Sequence, residues 1–318
     1  MLRQTDDSRS IRSAQANHPR QGVIYGILSY GLWGLVPLYF KLVADVSPPE
    51  VLAQRVIWSF VLLAAVVTLA GRWRDVRPAL RSRSIMLALA TSTLLLAFNW
   101  FVYIYSVSTN QVVEASLGYF LNPLVNVLLG VLILGERLRR WQTGGIVLAG
   151  VGVAILGAPW IAVSLAVSFA FYGLLRKQVA VDGLLGLFVE TLLLVPLGLV
   201  YVVYLRTMGA SAFTASDPAM CLKLMAGGVV TCVPLLLFAA AARRLRLATL
   251  GFLQYLAPTI QFLLAVFLFG EHLSTTKLVA LGFIWTAVAI YAIDSLRVLK
   301  SERDARRAQM LEPAPADV

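Results

Sequence analysis

The chain has 318 residues, of which 59% are AVILMFWYC and only 14% are charged, with a mean hydropathy of +0.80. A soluble globule must solvate its outer layer and cannot hide that much apolar surface, and a disordered chain would not carry it, so the expected class is an all-α polytopic membrane protein. The net charge of +11 would suggest a nucleic-acid partner in a soluble chain, so its placement along the sequence decides its meaning.

Residues 1–21 are polar and predict a cytoplasmic tail with no cleavable signal peptide. Apolar runs close to the length that crosses a ~30 Å hydrocarbon layer then follow at 22–40, 51–70, 85–106, 112–134, 142–158, 160–175, 184–205, 224–241, 248–269 and 276–293. Backbone groups in lipid must bond internally, so all ten are expected to be helices. The fifth and sixth are short and nearly fused at Gly157-Ala158-Pro159. The longest external loop, about 206–223, holds Gly209, Ser211 and Pro218 and reads as irregular; residues 296–318 form a second tail.

With the N-terminus inside, the cytoplasmic segments hold 22 Lys and Arg, whereas the external ones hold Lys41, Arg206, Lys223 and Lys277. This bias places both termini in the cytoplasm. The basic residues then serve as topology signals and contacts for anionic lipids, and no nucleic-acid partner is needed. Cys221 and Cys232 stand about 16 Å apart if on one helix, beyond disulfide reach.

The chain repeats itself. Pro123, eleven residues, then Gly135-Glu136-x-Leu138 returns as Pro258, eleven residues, then Gly270-Glu271-x-Leu273, at a constant spacing of 135. Ala115-Ser-Leu-Gly118 matches Ala248-Thr-Leu-Gly251 more loosely. Each half, 22–158 and 160–295, carries five spans. An odd number makes the copies cross the membrane in opposite senses, which predicts ten helices in two inverted five-helix repeats, an architecture of many secondary transporters. The competing reading is a duplicated scaffold or sensor that transports nothing. The repeated glycines suit helix C-caps, and Glu136 and Glu271 are expected to pin loops through Arg or backbone donors.

Polar groups inside spanning helices mark the bundle interior. Glu114, Gly118, Asn122 and Asn126 recur every four residues in the fourth span, around Pro123; Gln254 and Gln261 flank Pro258 in the ninth. Asn99, Trp100 and Tyr103 mark the third span, and Trp33 and Tyr39 the first. Trp33, Tyr39, Arg55, Asn99, Trp100, Tyr103, Asn122, Asn126, Gln254 and Gln261 are therefore candidate substrate-binding residues. Amides, aromatic faces and kinked backbone suit a small organic solute better than a bare ion. The alternatives are interhelical hydrogen bonding for the amides and packing for small-residue pairs such as Gly22 and Gly26. Arg55 and Glu190 lie inside spans 135 residues apart, at matching positions of the two halves. Arg55 is a candidate for attracting a carboxylate or phosphate, and Glu190 a candidate proton-coupling site, with Glu114 second; structural charges satisfied by backbone are the alternative.

There is no Gly-x4-Gly-Lys-Ser/Thr loop, no His-Glu-x2-His and no visible Ser/His/Asp arrangement, so no cofactor, metal or enzymatic activity is expected.

Gly31-Leu-Trp-Gly-Leu-Val-Pro-Leu-Tyr39, Gln54-Arg55, Asn99-Trp100, Glu114-Ala-Ser-Leu-Gly-Tyr-Phe-Leu-Asn-Pro123 and Gly135-Glu-Arg-Leu138 resemble the RarD family, in the EamA-type branch of the drug/metabolite transporter superfamily. The likeness covers roughly 22–295. It implies a permease of the bacterial inner membrane, in a family often linked by name to chloramphenicol sensitivity. In related exporters a central cavity draws on the fourth and ninth helices, which would carry onto Asn122, Asn126, Gln254 and Gln261; Asn122 corresponds to Ala257, so the two halves are not equivalent ligand shells. The expectation is alternating-access transport, with export taken from the resemblance alone. The partners expected are a small organic solute and anionic lipids at the cytoplasmic face, and a homodimer is compatible with this reading.

Overall fold

The computed structural model describes residues 3–135, 139–157, 159–179, 181–242, 244–245 and 247–311. Among them every regular element is helical. In chain order these are α1 (Arg3–Leu42), α2 (Pro48–Leu69), α3 (Trp73–Arg81), α4 (Arg83–Ser108), α5 (Val112–Leu134), α6 (Arg140–Ile155), α7 (Trp160–Gln178), α8 (Gly183–Thr207), α9 (Pro218–Ala242), α10 (Leu247–Leu253), α11 (Leu256–Leu263), a π-helical turn (Leu264–Leu268) and α12 (Thr275–Leu311).

Among the described residues, eight stretches are long and apolar enough to cross a membrane: parts of α1, α5 and α12, all of α2, α4, α8 and α9, and the broken segment Thr249–Leu268. The 16-residue α6 and the 19-residue α7 are shorter and lie beside them. Leu132, Leu197, Val200, Val203 and Phe267 are exposed on the outside of the bundle, the pattern expected where lipid rather than water is the solvent.

Two features depart from the sequence expectations. The polar segment before the first span continues α1 back to Arg3; a helix already nucleated by an apolar span propagates at little cost. The basic segment after α2 is not a plain loop but the amphipathic α3, which buries Val76 and Ala79 three residues apart. Its Trp73 packs edge-on against Phe188 of α8 at 5.5 Å and donates to Thr68 Oγ1 at 3.1 Å.

The two prolines of the repeated motif act differently. Pro123 sits within an uninterrupted α5. Pro258 follows a break at Gln254 and Tyr255 and occupies the first turn of α11, where its missing N–H removes no helical bond. Gly135 and Gly270 both adopt φ +66, the left-handed conformation of a helix terminator. Glu136 lies outside the described residues. Glu271 accepts from the backbone N–H groups of Val112 (2.7 Å) and Val113 (2.8 Å), pinning the end of the ninth span to the start of α5.

Close helix approach rests on small residues. A Cβ on Gly118 would stand 2.6 Å from the Ala162 carbonyl oxygen, so α5 and α7 meet backbone to backbone. Gly22 and Gly26 likewise seat α1 against Leu245 and Leu253. The largest core joins α1, α2, α4, α5, α7 and α12, and a second joins α2, α3, α4, α8 and α9. Both cysteines are free; Cys232 is buried against the Ser59 carbonyl of α2.

Candidate solute site

Arg55 stands in the second turn of α2 and is 7% exposed. Its Nε donates to Thr231 Oγ1 of α9 at 2.6 Å, and Thr231 in turn donates to the Gly227 carbonyl at 2.8 Å. The guanidinium carbon lies 4.1 Å from the Trp100 ring centroid and 5.5 Å from that of Phe40. Cation–π contacts of this kind recover part of the hydration a buried cation gives up. An aromatic chain encloses it: Tyr39 to Phe40 (5.1 Å), Phe40 to Tyr103 (5.9 Å) and Tyr103 to Tyr119 (5.7 Å). Among the described residues no carboxylate pairs with it. The Tyr39 and Tyr103 hydroxyls are buried without hydrogen-bond partners.

Asn99 is engaged elsewhere. Its Nδ2 donates to the Leu165 carbonyl (3.0 Å) and to Ser168 Oγ (2.9 Å), and its Oδ1 accepts from Tyr119 (3.3 Å). It ties α4, α5 and α7 together, and through Tyr119 it borders the aromatic box. Trp33 meets Tyr30 (5.4 Å) and Phe238 (5.7 Å) and bridges their cluster to the main core. Gln261 donates to the Trp33 carbonyl at 3.1 Å, and its Oε1 is buried and unpartnered, as is Asn122 Oδ1. Gln254 is half-buried at the break before α11, and Asn126 is exposed. The structure thus gathers Tyr39, Arg55, Trp100 and Tyr103, with Asn99 at the edge, and leaves Trp33, Asn126, Gln254 and Gln261 outside that box.

Glu190, seven residues into α8, is fully buried. Its carboxylate accepts from Ser92 Oγ (2.6 Å) and Tyr172 Oη (3.2 Å) and faces Arg176 Nε at 3.7 Å. Glu114 accepts from the Ile161 amide at 3.1 Å, at the N-terminus of α7, where a carboxylate is favoured by the free N–H groups and the helix dipole. Below Glu190, Asp182 caps α8 through the Leu184 (3.0 Å) and Leu185 (3.1 Å) amides and pairs with Arg72. Partial burial disfavours its charge, but Arg72 and these two amides outweigh that and hold the Asp182 carboxyl below the usual range.

Sequence reasoning missed Phe40, Tyr119 and Thr231 around Arg55, and Ser92, Tyr172 and Arg176 around Glu190. The signal for Arg176 was present: it lies one helical turn from Tyr172 on the same face of α7.

The model of the EamA-like transporter family matches residues 20–158. An uncharacterized transporter of Vibrio cholerae is 43% identical over 292 residues, covering 90% of this chain and 97% of that one. Protein RarD of Salmonella typhi is 45% identical and that of Escherichia coli K12 42%, each over 286 residues, 88% of this chain and 97% of theirs. A solved crystal structure shares the fold at TM-score 0.57 and 20% identity, over 87% of this chain and 99% of the other. With its apolar helices, this makes the protein a multi-pass transporter of the bacterial inner membrane rather than an enzyme. The chain belongs to the RarD family, in the EamA-type branch of the drug/metabolite transporter superfamily.

Proposed function

We propose that the chain is a secondary permease that exports a small organic solute by alternating access, built as two inverted five-helix repeats (22–158 and 160–295) with both termini in the cytoplasm. The observation that carries this reading is the recurrence of helix starts at one spacing. Pro48 and Gly183, Arg83 and Pro218, Val112 and Leu247, and Arg140 and Thr275 each begin a helix, and each pair is 135 residues apart. Packing is reciprocal in the same frame. The contact of α1 with α11 answers that of α5 with α7, α1 with α9 answers α7 with α4, and α2 with α9 answers α8 with α4. Two oppositely oriented copies can open to either side by nearly equivalent rearrangements.

In this reading the solute binds beside Arg55, Tyr39, Trp100 and Tyr103, at the meeting of α1, α2 and α4 with α9. Asn99, Asn122, Asn126, Trp33, Gln254 and Gln261 line its path. Glu190 carries the coupling proton, exchanging it against Arg176, and Glu114 is the outer candidate.

The test is topological and functional together. Arg140→Cys and His272→Cys, probed with a membrane-impermeant maleimide in sealed right-side-out vesicles, should label from opposite faces. Proteoliposomes loaded with a bacterial metabolite extract should exchange at least one solute with the bath, read by mass spectrometry. Labelling of both cysteines from one face, or no solute exchanged above empty vesicles, refutes the proposal.

A further inference from the structure

We infer that the solute is an organic anion, a small carboxylate or phosphate monoester carrying an apolar body, and that Arg55 is its counter-ion. The inference rests on the permease reading for transport, but not for binding.

A buried guanidinium without a counter-charge is costly, and proteins normally pair it. Here Thr231 takes only Nε, Trp100 and Phe40 cover the face, and the two terminal nitrogens have no hydrogen-bond acceptor among the described residues. The Tyr39 and Tyr103 hydroxyls are unpartnered; Tyr39 shares with Arg55 the space beside Gly227, and Tyr103 packs on the Phe40 ring that the guanidinium faces. The box therefore offers donors and positive charge and no carboxylate. A ligand that completes it must bring acceptor oxygens and a negative charge, in the planar, two-pronged form that matches a guanidinium. Phe40, Trp100, Tyr103 and Tyr119 supply apolar faces for the rest of the molecule.

Comparison with the matching position of the other half sharpens this. Residues 55 and 190 correspond, and so do 227 and 92. At Glu190 the corresponding neighbour is Ser92, which donates to the carboxylate, and Arg176 supplies a counter-charge from within the chain. At Arg55 the corresponding neighbour is Gly227. A Cβ there would stand 2.7 Å from the Tyr39 hydroxyl. Glycine thus makes room for Tyr39 beside Arg55 where the other half placed a polar partner. One buried charge is neutralised by the protein, and the other is left for a ligand.

The purified protein in phosphatidylcholine nanodiscs is titrated with benzoate, phenyl phosphate, benzamide and benzylamine, and binding is read as a rise in melting temperature and by calorimetry. Benzoate or phenyl phosphate should bind at least about ten-fold more tightly than benzamide, with no binding of benzylamine. Arg55→Gln should abolish that preference, and Arg55→Lys should keep a weakened one. Because Arg55→Gln removes an uncompensated buried cation, its ligand-free melting temperature should hold or rise. Replacing 30% of the nanodisc lipid by phosphatidylglycerol should leave benzoate affinity unchanged; competition by that lipid overturns the assignment to a free solute. Equal binding of benzamide and benzoate, a preference that survives in Arg55→Gln, or a ligand-free Arg55→Gln that melts lower than the parent each overturns the inference. Anion binding that depends on Arg55 without solute exchange in proteoliposomes would remove the permease reading alone. Exchange of solutes without anion preference would remove this one alone.

Discussion

Glu271 reaches from the end of the ninth span to the first turn of α5, where it accepts from Val112 N–H at 2.7 Å and Val113 N–H at 2.8 Å. The residues are 159 and 158 apart in sequence, so the carboxylate fastens the second half of the chain to a helix of the first. Glu271→Ala frees two backbone donors at a helix start. Loss of a side-chain cap costs about 0.5–2 kcal/mol, and each hydrogen bond to a charged group is worth about 1.5–3 kcal/mol. The site is half-buried, which places the net loss near about 2 kcal/mol. In a chain of this size that corresponds to roughly 4 °C in melting temperature. Glu271→Gln keeps one carbonyl acceptor and should lose about half as much. Fluorescence-detected size-exclusion chromatography of heated, detergent-solubilised protein measures the shift. A Glu271→Ala protein that melts within about 1 °C of the parent refutes the capping argument.

Two further outcomes follow from charges placed by the fold. Arg176→Met leaves Glu190 buried without its counter-charge and should destabilise by about 3 kcal/mol in denaturant unfolding, whereas Arg176→Met with Glu190→Leu should recover most of the loss; a double variant as unstable as the single one defeats that account. The pairing of Arg72 with Asp182 should matter above the ordinary Asp range and fade as pH falls through it. The folded-state carboxyl titrates below its unfolded value, so its contribution is present above about pH 4 and lost on acidification below it. Both side chains are partly exposed, which limits the effect to under about 1 kcal/mol. Melting of Asp182→Asn should therefore fall below the parent at pH 6, and the gap should narrow as the pH is taken down below about 4; a gap that does not change with pH would show that the charge is not responsible.

How much of this was legible in the sequence depends on what each feature requires. The apolar run 112–134 coincides with α5, Val112–Leu134, whose C-terminal end is marked by Gly135. The internal spacing of 135 was visible in Pro-x11-Gly-Glu-x-Leu, and the backbone of Gly135 and Gly270 agrees at the same φ. The amphipathic α3 was hidden because the arginines that interrupt it dominate its composition, although Val76 and Ala79 carry the helical spacing. Arg55 was legible as a charge inside a span. Its setting was not, because Phe40, Thr231 and Gly227 come from other helices, and neither an apolar ring, a single hydroxyl nor a glycine stands out within an apolar span. Asn99 shows the converse: a prominent intramembrane amide whose donors are spent on Leu165 and Ser168.

The break at Gln254 and Tyr255, followed by the π-helical turn at Leu264–Leu268, has no counterpart in the uninterrupted α5. One member of this related pair is thus a stiff rod and the other a jointed one. On the alternating-access reading proposed above, bending would fall mainly on the jointed member, and the two half-cycles would meet unequal mechanical resistance.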